Sequence, residues 1–403
     1  MVNRPGADPL SPALASLALA DEGEARKRGY RHTLAEICQQ PDTWRATGAA
    51  LREEAPRLAA FLREAGLEPG RGLVVLTGSG SSHYVGQSLA LPLQHALRVP
   101  VQAIPSGTIL THADQIVPPN LPSVVVSFAR SGDSPESRAV LDVLRERRPA
   151  CRHLIITTNG RGRLATAYRD DPRVFHVVLD DRTCDRSLVM TSSFTNMQLA
   201  GSVLASLDAP DAYAAGVDRI AQLGATLLAC EADRLAALAR RPFRSAVFLA
   251  SGARLGAAHE ASLKLLEMTE GRVRTLVESY LGLRHGPMST VHDDTLVVCF
   301  LSCDPTARAY EVDLLRELER KRLGNGRLLA GERVPAEAAG SDDTVIDYPG
   351  ASPVGDDRLV VVDVLVGQLL AFFRCLDMGL KPDDPSSGGV INRVVEEFAI
   401  HKR

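Results

Sequence analysis

Three ionisable side chains recur at helical spacing in the segment AAHEASLKLLEMTEG (257–271). Glu260, Lys264 and Glu267 stand at i, i+4 and i+7 and therefore share one helix face. Two readings fit the stripe. It suits a solvated Glu–Lys ladder, worth roughly a few tenths of a kcal/mol. It also suits a crevice, because Ala257, Ala258, Ala261, Ser262, Leu265, Leu266 and Met268 give the same helix a wide surface fit for close burial. A carboxylate beside an ammonium in such a crevice can be tuned as a general base. Downstream come Glu278, in LVESYLG, and then His285, in GLRHGPMS. The flanking Gly282 and Gly286-Pro287 predict a stiff loop that presents the imidazole. Turn bonding and proton transfer near neutral pH are both open to such a histidine.

A second set of residues suits an anion. Strand-like LVVLT (73–77) runs into Gly-Ser-Gly-Ser-Ser (78–82), and SVVVSF (123–128) runs into ARSGDSPES, each followed by a helical pattern. A glycine-rich turn lets backbone N–H groups approach an anion, and a helix N-terminus favours negative charge. The dinucleotide fingerprint fails because His83 occupies its third glycine and no acid ends the next strand, VQAIPSG. The Walker pattern fails for want of Gly-Lys-Ser/Thr. Hydroxyls dominate instead: Ser79, Ser81 and Ser82 in one turn, then Ser127, Ser131 and Ser134 in the other. Helix capping by Ser131 or Asp133 explains either turn alone. Two hydroxyl-rich turns on one parallel sheet favour a phosphomonoester on a small molecule.

The elements that carry these residues alternate. After helical periodicity over residues ~10–66, ended by Glu-Pro-Gly-Arg-Gly, come five apolar runs: 73–77, 101–104, 123–128, 153–158 and 174–179. A second series follows at 246–250, 273–277, 296–302, 327–331 and 344–348. Non-alternating apolar strands separated by helices predict parallel sheets covered on both faces. LVVLTGSGSSH recurs as VFLASGARLGA and VVVSFARSGDSPES is echoed by LVVCFLSCDPTAR, which indicates duplication with a boundary near 208–220. The equivalent turn of the second half, Ser302-Cys-Asp-Pro-Thr306, has no glycine and carries an acid that would repel phosphate.

With 403 residues, 45% of them apolar and 24% charged, the chain has the makings of two ordinary globular domains. A net charge of −3 and a pI near 6.4 give no electrostatic reason to expect nucleic acid or an anionic membrane as partner. There is no run of 18 apolar residues and no signal peptide pattern, so a cytoplasmic protein is expected. Seven scattered cysteines read as thiols rather than disulfides or zinc ligands, and neither metal nor cofactor is expected.

Taken together, SGSS after one strand, RSGDS after another, ExxxKLxE on a helix, RHGP after it and a terminal Asn-Arg resemble the sugar isomerase (SIS) domain proteins. The resemblance implies an α/β fold of two tandem SIS domains, each a flavodoxin-like three-layer sandwich around a parallel sheet, behind a helical N-terminal extension. The expected division is 1–50 for the extension, 51–210 and 211–378 for the domains, and 379–403 for a C-terminal tail. VVVSFARSGDSPES, DRSLVMTSS (185–193), GLRHGP and PSSGGVINRVV (385–395) are most similar to the AgaS group of tagatose-6-phosphate ketose/aldose isomerases and galactosamine-6-phosphate deaminase/isomerases.

By likeness to the isomerase half of glucosamine-6-phosphate synthase, Ser82, Ser131 and Ser134 would hold phosphate. Ser79, Ser81, Arg130, Thr191, Ser192, Glu260 and Arg393 complete the expected substrate set. Glu267 would be the base between C2 and C1, Lys264 its electrostatic partner, and His285 the ring-opening group, supplied by a neighbouring subunit of at least a homodimer. The synthase's tail lysine is not matched, since Glu397 stands there. The chain begins Met-Val, without the synthase's glutaminase cysteine, so release of amine is expected rather than its addition. Glucosamine 6-phosphate, a fructosamine-type phosphate, a plain ketose phosphate and a non-catalytic phosphosugar sensor are the other readings.

Overall fold

The computed structural model describes residues 9–386 and 388–401. The Met-Val start and the first residues of the expected N-terminal extension lie outside the described residues. The described part of the extension forms the helices Pro12–Leu19, Glu22–Lys27, Arg31–Cys38 and Gln40–Glu64.

The described residues build two five-stranded parallel sheets. The first contains β1 (Leu73–Gly78), β2 (Val101–Pro105), β3 (Ser123–Ala129), β4 (Arg152–Thr157) and β5 (Val174–Val178), in the order β2-β1-β3-β4-β5. The second contains β6 (Ser245–Ala250), β7 (Arg274–Ser279), β8 (Thr295–Phe300), β9 (Arg327–Gly331) and β10 (Thr344–Asp347), in the order β7-β6-β8-β9-β10. Each strand of the second sheet occupies the place of its counterpart in the first, as the duplicated sequence predicts. In both sheets the strand order reverses beside the first strand, which opens a crevice between its carboxyl end and that of the third.

The chain divides into two compact units. One holds β1–β5 and is drawn from Asp42–Asp185, Ser192–Asp218 and Gly389–Arg403; the other holds β6–β10 and is drawn from Met1–Pro41, Arg186–Thr191 and Arg219–Gly388. Strands β1, β3, β8 and β9 are buried along their whole length, which is why their sequences are continuous apolar runs. Helix Asp356–Asp377 is the one helix among the described residues long and apolar enough to cross a membrane, but 94% of its most apolar stretch is buried inside the protein. It is a core helix. Gly367 lets it approach helix Arg254–Met268 so closely that a Cβ there would meet Ala261.

One buried group makes stability depend on pH. His153, in β4 between Val125 and Val174, is fully buried, with neither ring nitrogen hydrogen-bonded among the described residues. Burial, aided by Arg173 and Arg145, lowers its pKa from 6.5 to about 4. Above pH 6.5 both folded and unfolded forms are neutral at this site. Between pH 6.5 and 4 the unfolded chain takes up a proton that the folded one refuses, so stability falls, by roughly 3 kcal/mol from this group. Urea unfolding of the His153→Leu protein should show a correspondingly shallower loss of stability from pH 7 to 4.5.

Candidate functional site

The two serine turns leave the carboxyl ends of β1 and β3, beside the crevice of the first sheet. Gly78 makes the first turn possible, because a Cβ there would lie 2.6 Å from Ser82 Cβ. Gly80, with φ of 55°, caps helix Ser81–Leu97. Ser81 and Ser82 are buried and Ser79 is exposed. In the second turn the backbone is locked from behind: Asn159 Nδ2 donates to the Ser131 carbonyl (2.8 Å) and Leu164 N to that of Gly132 (2.9 Å). Gly162 packs so tightly there that a Cβ would strike the Ser131 carbonyl oxygen.

Capping is distributed differently from the sequence expectation. Ser131 Oγ accepts from Asp133 N (3.2 Å), and Asp133 Oδ1 accepts from Arg163 N (2.9 Å), at the neighbouring helix Arg163–Ala167. Ser134 occupies the N-cap of helix Pro135–Arg147, but its side chain makes no capping bond. A serine at a helix N-terminus that does not cap leaves its hydroxyl for an anion. Ser127 Oγ, buried in β3, is without a hydrogen-bond partner among the described residues.

Glu136, in the first turn of the same helix, accepts from Ser79 Oγ at 3.2 Å, and so links the two turns. Sequence reasoning missed this residue; an acid two places after Ser134 was the available signal. Arg130 is nearly buried and donates to the Arg393 carbonyl, while the Arg393 guanidinium bonds the Asp185 carbonyl (2.9 Å from Nε). Ser192 is fully buried and gives its hydroxyl to Asp185 Oδ1 (2.6 Å), so that Asp185 caps helix Ser192–Ser202. Thr191 is buried too, and its carbonyl accepts from Gln368 (3.2 Å).

In the other unit, the same crevice is filled by the protein itself. The turn after β8 is one residue shorter than that after β3, and its donors meet carboxylates: Ser302 Oγ and Cys303 N bond Asp356, and Ser302 N bonds Glu311. Arg254, fully buried, reaches Asp363 with Nε and Nη2 at 2.6 and 2.5 Å, and donates to the Leu301 carbonyl. Asp304, the acid read as hostile to phosphate, is the N-cap of helix Pro305–Lys321.

The residues read from the sequence as acid–base candidates lie elsewhere in that unit. On helix Arg254–Met268, Lys264 Nζ is 2.6 Å from Glu267 and 3.2 Å from Glu260. Lys264 and Glu260 are fully buried, whereas 21% of the Glu267 side chain remains exposed. Burial alone would favour loss of the lysine proton, but the two glutamates outweigh it and hold the ammonium above its usual pKa. The stripe is thus no solvated ladder. It is a buried cation between two carboxylates, one of which belongs to a partly exposed side chain.

His285 closes a short 3-10 turn, Gly282–His285, and is exposed, with no hydrogen bond to any described residue. Strand β7 stands between it and Glu267 in the chain. The helix leaves the carboxyl end of β6 and returns Glu267 to the amino end of β7, and six-residue β7 then carries the chain back before His285 is reached.

Two sheets of this order, one with hydroxyl turns at its crevice and one with an embedded Glu–Lys–Glu helix, make a tandem sugar isomerase protein. No protein-family model matches the chain. An AgaS protein of Streptomyces coelicolor is 37% identical over 92% of this chain and 95% of its own. The D-galactosamine-6-phosphate deaminase AgaS of Shewanella sp. (strain ANA-3) is 33% identical over 98% of both. The crystal structure of tagatose-6-phosphate ketose/aldose isomerase from Escherichia coli superposes with a TM-score of 0.81 at 29% identity, covering 89% of this chain and 96% of that one. The chain belongs to the AgaS family of sugar isomerase domain enzymes.

Proposed function

We propose that the protein is a cytoplasmic isomerase/deaminase that converts D-galactosamine 6-phosphate and water to D-tagatose 6-phosphate and ammonia. The observation that carries this reading is a Glu267 side chain that is partly exposed while its carboxylate is held 2.6 Å from a fully buried Lys264 ammonium. Its relatives' names supply the substrate class. Ser79, Ser81, Ser82, Ser131 and Ser134, with Arg130, hold the phosphate; Thr191, Ser192 and Arg393 support the surrounding backbone. Binding the phosphate, remote from the reacting carbons, supplies free energy that orients the sugar chain for reaction.

The ring opens to the aldehyde with His285 as acid–base group. Glu267 takes the C2 proton and returns it to C1 while the C1 oxygen gains the equivalent of the proton that the C2 amine gives up, which leaves an alcohol at C1 and an imine at C2. Water adds to the imine carbon, ammonia departs, and the C2 ketone remains. His285 acts on the site of a partner subunit, a role supported by its exposure. The active protein is therefore at least a homodimer. Glu267→Gln and His285→Ala proteins, each inactive alone, should recover ammonia release when co-expressed and purified as mixed oligomers. Mixed oligomers as inactive as their parents would return His285 to a turn role.

Coupled ammonia assays on galactosamine 6-phosphate and glucosamine 6-phosphate test the substrate. The reading expects higher kcat/KM for the galacto epimer, and a ketose formed without ammonia from a neutral aldose phosphate would replace it with a plain isomerase. Ser131→Ala should raise KM by about tenfold and leave kcat nearly unchanged, since each lost charge-assisted hydrogen bond costs roughly 1.5–3 kcal/mol. KM and kcat measured on one preparation separate these effects.

A further inference from the structure

Glu260 was a substrate-binding candidate in the sequence, yet it is fully buried and its carboxylate lies 3.2 Å from Lys264. A side chain with no exposed surface, spent on a buried ammonium, is better suited to serve Lys264 than to meet a sugar. We propose that Glu260 is a positioning residue: it balances the charge of Lys264 and fixes its Nζ against Glu267 while Glu267 shuttles the substrate proton. The inference rests on Glu267 being the base.

The reason lies in the two states through which Glu267 passes. Before proton abstraction the stripe holds two carboxylates and one ammonium. After it, Glu267 is a neutral acid and no longer compensates the cation. A fully buried ammonium that loses its counter-charge is costly, so without Glu260 the protonated state of Glu267 would be opposed at the step where it must form. With Glu260 in place, protonation leaves a balanced Glu260–Lys264 pair. The i, i+4 spacing sets this geometry from within one helix, and the close approach of Gly367 to Ala261 keeps that helix packed and the pair shielded from water.

The test is a double-mutant cycle read in kcat, KM and exchange of the substrate C2 proton with deuterium from D2O. Glu260→Gln, nearly isosteric, should lower kcat and C2 exchange together by roughly tenfold, with KM within about twofold of the native value. In the Lys264→Met background the same change should cost nothing or raise kcat, because there it removes a buried carboxylate that has lost its partner. A rise in KM with kcat intact would make Glu260 a substrate ligand and overturn the proposal. An equal loss in both backgrounds would show that it does not act through Lys264, and would overturn it as well. Thermal melting of each variant separates misfolding from these outcomes. If Glu267→Gln retains full activity, the assignment of the base fails first, and that result is independent of the cycle.

Discussion

Glu267→Gln protein should bind substrate with a near-native KM and release ammonia roughly 10²- to 10⁴-fold more slowly, the usual worth of a positioned general base. The amide keeps the size of the side chain and its contact with Lys264, so the fold and the phosphate turns should be unaffected. Glu267 is the member of the stripe with exposed surface, which makes it the one that can meet a carbon acid. C2 deuterium exchange should fall in parallel with ammonia release, because both follow the same proton abstraction. Ammonia release with near-wild-type turnover would remove Glu267 from the mechanism.

The largest expected loss of stability belongs to Arg254→Ala. Arg254 is buried against Asp363 and within 3.5 Å of Asp356, with Tyr348 also donating to Asp363 at 3.0 Å. Truncation leaves the fully buried Asp363 carboxylate without its cation, a change that costs about 3–5 kcal/mol. Arg254→Met combined with Asp363→Leu removes both charges and should recover most of that loss. Urea unfolding of the three proteins decides the matter: equal stabilities for the single and double variants would mean that the guanidinium acts through packing rather than charge.

The sequence made the sheets legible because buried parallel strands write continuous apolar runs, and all ten appear where LVVLT, SVVVSF, LVVCFLS and their companions predicted. The paired serine turns and the Glu260–Lys264–Glu267 register were equally visible, since turn residues and helical spacing are local properties. Three features were not. Glu136 joins two turns through a contact 57 residues long in sequence, which no spacing rule anticipates. Asp356 and Glu311 fill the second crevice from two different helices, so the absence of glycine in that turn showed only that the phosphate site was gone. Burial of Glu260 depends on packing against helix Asp356–Asp377, and spacing alone could not tell it from a solvated acid.

The filled crevice of the second sheet has a consequence for how the protein responds to its substrate. Carboxylates of Asp356 and Glu311 occupy the backbone and hydroxyl donors of that turn permanently, as tethered anions that never dissociate. On the proposed reading the first sheet takes its anion from solution, and its stability then rises with the concentration of sugar phosphate by mass action. Amide hydrogen exchange should register this asymmetry: added substrate should slow exchange around Gly78–Ser82 and Arg130–Ser134, while the turn at Ser302–Asp304 should already be protected in the empty enzyme.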